Sequence, residues 1–217
     1  MRYAFISYQT KDKAIAGQLK MLLSQVGIES FLAHEDIAVS EEWRLKIIEE
    51  IGKAQIFICL LSENYIKSVW CVQESGIAAF RNDMIILPLS LDGTVPTGFI
   101  GNIQSAKVDP AKILLSDIIP GFLKRDFPIG IELAIAQLGR SNSYRVAEVN
   151  FQLILPHVPR MTDNQITTLL EMTAKNGQVY GASRCARDYI PPLLDSHGHF
   201  LPGDTLTFLN DACAPWR

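Results

Sequence analysis

The chain has 217 residues, 48% hydrophobic and 20% charged, with a formal net charge of −3, a globular composition that excludes disordered, collagen-like and polybasic classes. At this length one main fold with an appendage is expected. No apolar run reaches the roughly 18 residues that span a bilayer, the start Met1-Arg2-Tyr3-Ala4 lacks a signal-peptide pattern, and the balanced charge argues against nucleic acid as a partner, so a cytoplasmic protein without membrane contact is expected.

Tyr3 to Ser7 reads as an interior strand, and Ile15, Leu19, Leu22, Leu23 and Val26 then recur at helical spacing over Asp12 to Val26, with Asp12 as cap and Gly27 as stop. Ile28 to Ala33 is the next strand. It is followed by a polar loop, His34 to Ser40, and a helix from Glu41 to Lys53 with the stripe Trp43, Ile47, Ile48 and Ile51 and Ser40 as cap. Gln55 to Leu61 is continuously apolar, the mark of a strand covered on both faces in a parallel sheet. Cys59 in that run is a core thiol.

A helix is expected over Val69 to Phe80, a strand from Met84 to Leu89 ending at Pro88, and a short strand within Ser105 to Val108. This alternation points to an open, parallel α/β sheet. Beyond Ile113 the periodicity weakens. Ile129 to Leu138 reads as the last helix of the main fold, and Arg140-Ser141-Asn142-Ser143 as a linker. The domains expected are therefore 1–140 and a small helical extension, 144–217. In the extension Phe151 to Leu155 reads as a strand, Asp163 to Lys175 as a helix capped by Thr162 or Asp163, and Ser183 to Leu194 as a helix broken at Pro191-Pro192. His197-Gly198-His199 with Cys185 and Cys213 matches no zinc spacing, so no metal site is expected.

Four segments resemble the boxes of the TIR (Toll/interleukin-1 receptor) family: Phe5-Ile6-Ser7-Tyr8 on the first strand, the loop from His34 to Ser40, Trp43 to Ile47 in the second helix, and Ser68-x-Trp70-Cys71-x-x-Glu74. The last is similar to the S-x-W-C-x-x-E box of family members that consume NAD. The resemblance implies a flavodoxin-like fold of about five parallel strands in order 2-1-3-4-5, with ligands beyond the carboxyl ends of the strands where the first and third part. It implies Glu74 as catalytic carboxylate and Trp70, Ser7, Phe5, Tyr8 and Arg44 as residues that hold NAD, which is substrate rather than cofactor.

Trp70 and Glu74 are four apart, one turn on the same helix face. A ring there stacks on a flat base, and a carboxylate beside it favours positive charge developing on a ribose. Arg44 and Lys46 either meet a pyrophosphate or coat a solvent-facing helix. Cys71, with no neighbouring His, reads as packing rather than nucleophile. The function implied is an NAD nucleosidase giving linear, cyclic or base-exchanged ADP-ribose in bacterial antiphage defence, assembled through TIR–TIR contacts, with a separate effector or a phage-derived activator as further partner. The alternatives are a non-catalytic TIR assembly module and a nucleotide binder without turnover.

Overall fold

A computed structural model describes residues 2–33 and 43–216. The loop expected over 34–40 and its Ser40 cap lie outside the described residues. The chain divides into two compact units, Met1–Asp126 and Phe127–Arg217.

In the first unit five parallel strands, β1 (Arg2–Ser7), β2 (Ile28–Leu32), β3 (Ile56–Leu61), β4 (Ile85–Ser90) and β5 (Ala106–Lys107), lie in the order β2-β1-β3-β4-β5. Helices α1 (Lys13–Gln25), α2 (Trp43–Lys53), α3 (Glu63–Lys67), α4 (Val69–Phe80) and α5 (Leu115–Arg125) connect and flank them. This is the sheet order expected. Every residue of β3 is buried, which is why that strand reads as one apolar run rather than an alternation. The strand order turns back between β1 and β3, which run parallel, so the carboxyl ends of these two strands, Ser7 and Leu61, open the crevice of the fold.

Local chemistry explains the small departures from expectation. Asp12 gives α1 no side-chain cap; its carboxylate instead accepts from Ser62 Oγ at 2.8 Å. Gly27 ends the helix with φ 77°, a left-handed conformation that suits glycine. The carbonyls at the end of α2 (Ile51 and Gly52) and that of Ala54 are taken by Arg81 Nη1 at 2.7–2.8 Å, a guanidinium answering the orphan acceptors of a helix terminus. Of the stripe expected on α2, Ile47 and Ile51 are buried, whereas Trp43 and Ile48 stay partly exposed.

β4 does not stop at Pro88 but runs on to Ser90. Ile85 and Leu91 donate toward the β3 side, to Gln55 and Leu61, so even-numbered residues face β5. The donor that Pro88 lacks thus faces a stretch where β5, which pairs only with Leu89 and Ser90, has not begun. The stretch beyond Ile113, where the periodicity weakens in sequence, holds α5 with the apolar stripe Leu115, Ile118, Ile119 and Phe122 around Pro120. Gly121 is there for a close approach, since a Cβ would stand 3.0 Å from Leu87 Cδ2 of β4.

The second unit is helical: α6 (Phe127–Gly139), α7 (Tyr144–Ile154), α8 (Asp163–Ala174), α9 (Gly177–Tyr180), α10 (Ile190–His197) and α11 (Gly203–Cys213). The helix expected to close the first domain is α6, and it is apolar nearly all round because it forms the centre of this unit, packed on α7 and α8. The boundary between units therefore falls at Asp126, not at 140–144. Phe151 to Leu155 is not a strand. Ser143 caps α7, and Ala147, Asn150, Phe151 and Ile154 are buried at helical spacing. The cap expected on α8 is Thr162, in a reciprocal box with Gln165. Pro191 and Pro192 do not break the helix: a π-turn over Cys185–Tyr189 precedes them and they occupy the first turn of α10, where a missing N–H is tolerated. Among the described residues, no helix is long and apolar enough to cross a membrane.

Candidate active site

The odd-numbered residues of β1 share one face of the strand. Tyr3 reaches Glu50 of α2, Phe5 stacks between Phe31 and Phe57 at centroid distances of 5.5 and 5.6 Å, and Ser7, at the carboxyl end, donates to Glu74 of α4 at 2.5 Å. Ser68 places α4 at this end of the sheet by capping it, its hydroxyl accepting from Cys71 N. The same face of α4 then presents Trp70 and, one turn on, Glu74. With Arg44, Ile47, Ile48, Gln73 and Ile77 they line a cavity of about 190 Å³. That is smaller than the roughly 300–1,000 Å³ that engulfs a whole drug-sized ligand. Its size suits one end of an elongated molecule.

Glu74 is only 1% exposed. Its Oε2 has the Ser7 bond, and its Oε1 has no hydrogen-bond partner among the described residues. Burial raises its pKa to about 7, against the lowering effect of Ser7. A carboxylate so placed is poised between charge states at neutral pH, with one buried oxygen unsatisfied among the described residues. Trp70, 39% exposed, is held edge-on by Trp43 with ring centroids 4.0 Å apart. One indole thus fixes the other while leaving it open to the cavity.

A family model described as TIR domain matches residues 4–112, half of the chain. The chain belongs to the TIR domain family. Among solved structures, the TIR domain of the Toll-related receptor TRR-2 from Hydra magnipapillata matches at 18% identity, over 58% of this chain and 96% of that one, with a TM-score of 0.46. No curated protein matches.

Within this TIR domain the residues picked out from sequence separate into two groups. Glu74, Trp70 and Arg44 meet at one cavity, and Ser7 supports Glu74 from beneath. Phe5 is not at the pocket edge: mid-strand on the same face as Ser7, its ring is buried in the aromatic stack of the core. Tyr8 is fully buried as well and is not among the residues lining the cavity. Lys46 faces Glu50 at 2.9 Å rather than the cavity. Cys71 is buried and its thiol pushed up to about 11, as suits a packing residue.

Sequence reasoning missed Tyr65 and Ser75. Tyr65, on the short helix α3, is within 2.8 Å of both Ser7 Oγ and Ser75 Oγ, linking the TIR core to the carboxylate. The signal available was Ser62, a cap followed three residues later by this tyrosine. The five residues of α3 are too few to show helical periodicity.

Proposed function

We propose that this TIR domain cleaves the nicotinamide–ribose bond of NAD, with Glu74 as its catalytic carboxylate. The observation that carries the reading is a buried glutamate with one oxygen unpartnered among the described residues, one turn from a half-open tryptophan, at the crevice of the sheet. The indole of Trp70 covers the flat face of the nicotinamide ribosyl end. Glu74 Oε1 accepts from ribose hydroxyls, and its charge favours the oxocarbenium-like cation that forms as the C–N bond breaks. Nicotinamide takes the bonding pair and leaves neutral, so no general acid is needed. Arg44, which lines the same cavity, pairs with the pyrophosphate in this reading.

The ionised form of Glu74 does this work. Its raised pKa makes turnover increase with pH through about 7, and the cationic pyridinium of the substrate draws the carboxyl toward ionisation once bound. The acceptor decides the product: water gives ADP-ribose, the substrate's own adenine or ribose a cyclic isomer, and an external base an exchange product. We place this chemistry in the bacterial cytoplasm, in antiphage defence, as the source of a nucleotide signal to a separate effector or as an NAD-depleting effector itself. Purified protein incubated with NAD tests the reading. Equal nicotinamide release by wild type and Glu74→Gln ends it.

A second reading, an assembly module, is favoured by a different observation. Phe99 and Val72, both exposed, line one apolar hollow with Ile66, the kind of exposed apolar surface that marks a protein contact. That reading expects self-association lost on Phe99→Ser, measured by light scattering, with no dependence on Glu74.

A further inference from the structure

The hydroxyls beneath Glu74 form a continuous buried chain. Ser7 Oγ lies 2.8 Å from Tyr65 OH, which lies 2.8 Å from Ser75 Oγ and 3.2 Å from the Cys71 carbonyl; Ser75 Oγ is 3.0 Å from that carbonyl. An ionised carboxylate only accepts, so the 2.5 Å bond requires Ser7 to donate to Glu74. Its one proton spent, Ser7 must accept from Tyr65. Tyr65, its proton spent in turn, accepts from Ser75 or leaves that proton to the Cys71 carbonyl. Charge on Glu74 thus dictates the direction of every link as far as the phenol.

We infer that Tyr65 is a positioning residue for Glu74, its phenol donating to Ser7 Oγ so that the serine proton is aimed at, and strengthened toward, the ionised carboxylate. This rests on the reading of Glu74 as the catalytic carboxylate. Tyr65 suits the role because burial holds its phenol well above the usual tyrosine range, keeping it a neutral donor. The contribution is specific to the charged state. A protonated Glu74 still accepts from Ser7 through its carbonyl oxygen and needs nothing from Tyr65, whereas a carboxylate gains from each bond that polarises its donor. The other titratable or charged groups facing this site among the described residues are Arg44 from α2, Cys71 from α4 itself, and Cys59 of β3 beside Tyr65. Both thiols are pushed up by burial and neutral at pH 7.

The test is a carbon-13 titration of the glutamate carboxyl signals in the intact chain, the Glu74 resonance being the one absent in Glu74→Gln. Tyr65→Phe keeps the ring and should raise the Glu74 midpoint by about half a pH unit, the size expected for one lost cooperative bond. 3-Fluorotyrosine at position 65, a stronger donor that retains the hydroxyl, should lower it, and this variant keeps the question open to measurement even where Tyr65→Phe folds poorly. Ser75→Ala, one link further away, should move the midpoint less than Tyr65→Phe. Coincident midpoints in wild type and Tyr65→Phe, shifts of the same sign in both tyrosine variants, or a larger shift in Ser75→Ala overturn the inference. In the NAD assay the acid limb of nicotinamide release should move up with the midpoint in Tyr65→Phe, and activity should return on raising the pH by one unit. A shifted midpoint with no NAD cleavage in wild type would leave the positioning role standing and remove the proposed function alone.

Discussion

Two glutamates sit under the same strand, and their fates differ. Tyr3 and Ser7, on one face of β1, each give a hydroxyl to a buried helix carboxylate, Glu50 at one end and Glu74 at the other. Exposure does not distinguish them, at 4% and 1%. Donor supply does. Glu50 has Tyr3, Lys46 at 2.9 Å and Lys53 at 3.0 Å, and its pKa falls to about 2 despite burial. Among the described residues Glu74 has Ser7 alone, and its pKa rises to about 7. Partners compensate burial in one case, and burial prevails in the other. Glu50 is thereby committed to structure, while Glu74 has an oxygen unsatisfied among the described residues and a charge state that neutral pH can change.

Glu74→Gln tests the widest gap between them. It should cut nicotinamide release by about 100-fold or more, the usual loss when a group that stabilises transition-state charge is removed, while Glu50→Gln should leave kcat within a factor of two in protein that remains folded. Initial rates at saturating NAD, normalised to folded protein, check both. A Glu50 variant as inactive as the Glu74 variant would erase the contrast.

Stability should divide the pair the other way. A carboxyl whose folded pKa lies below its unfolded value stabilises above the unfolded value, and that benefit is lost as pH falls through the folded one. Glu50 therefore supports the fold at pH 7 and loses that support between about 4.5 and 2. Glu50→Gln should cost about 2–3 kcal/mol at pH 7. For Glu74 the sign reverses. Its folded pKa is raised, so wild type is favoured below about 4.5 and loses stability as pH rises through about 7. Glu74→Gln should accordingly gain on wild type between pH 5 and 8, by about 2 kcal/mol at the upper end. Urea titrations of wild type and both variants at pH 5 and pH 8 measure the crossing, and a Glu74 variant that loses ground to wild type with rising pH contradicts the raised pKa.

The same contrast explains what was legible in the sequence. β3 declared itself because full burial leaves only apolar residues, and the site on α4 because Ser68, Trp70 and Glu74 stand in one box within a single segment. Phe5 was misassigned to the pocket because an end-of-strand motif says nothing of which ring turns into the core. The support of Glu74 by Tyr65 joins residues nine apart on two helices through a third residue on β1, a relation that no local pattern encodes. In the second unit Phe151 to Leu155 looked like a strand for want of the cap at Ser143 and the buried Ala147, which only the helix brings into line.

Trp70 gives a smaller effect. Its ring is half open and braced by Trp43, so it offers a surface rather than a charge. Trp70→Ala should raise KM for NAD about tenfold, and Trp70→Phe, which keeps an aromatic face, about threefold. If both variants bind NAD as wild type does by calorimetry, the ring belongs to packing alone.

The smallest effect is expected three residues before Glu74, on the same helix. Burial raises both Cys71 and Glu74, to about 11 and about 7, but the consequences are unequal. A carboxyl brought to 7 still ionises in half of the molecules at neutral pH, whereas a thiol brought to 11 supplies thiolate in roughly one molecule in ten thousand. Cys71→Ala should therefore leave nicotinamide release within about twofold of wild type. Iodoacetamide at pH 8 should leave Cys71 unmodified in the folded chain and label it once urea unfolds the protein, as mass spectrometry of the tryptic peptides would show. Rapid labelling of the folded chain would make Cys71 the reactive group of this helix, and the comparison with Glu74 would have to be redrawn around the thiol.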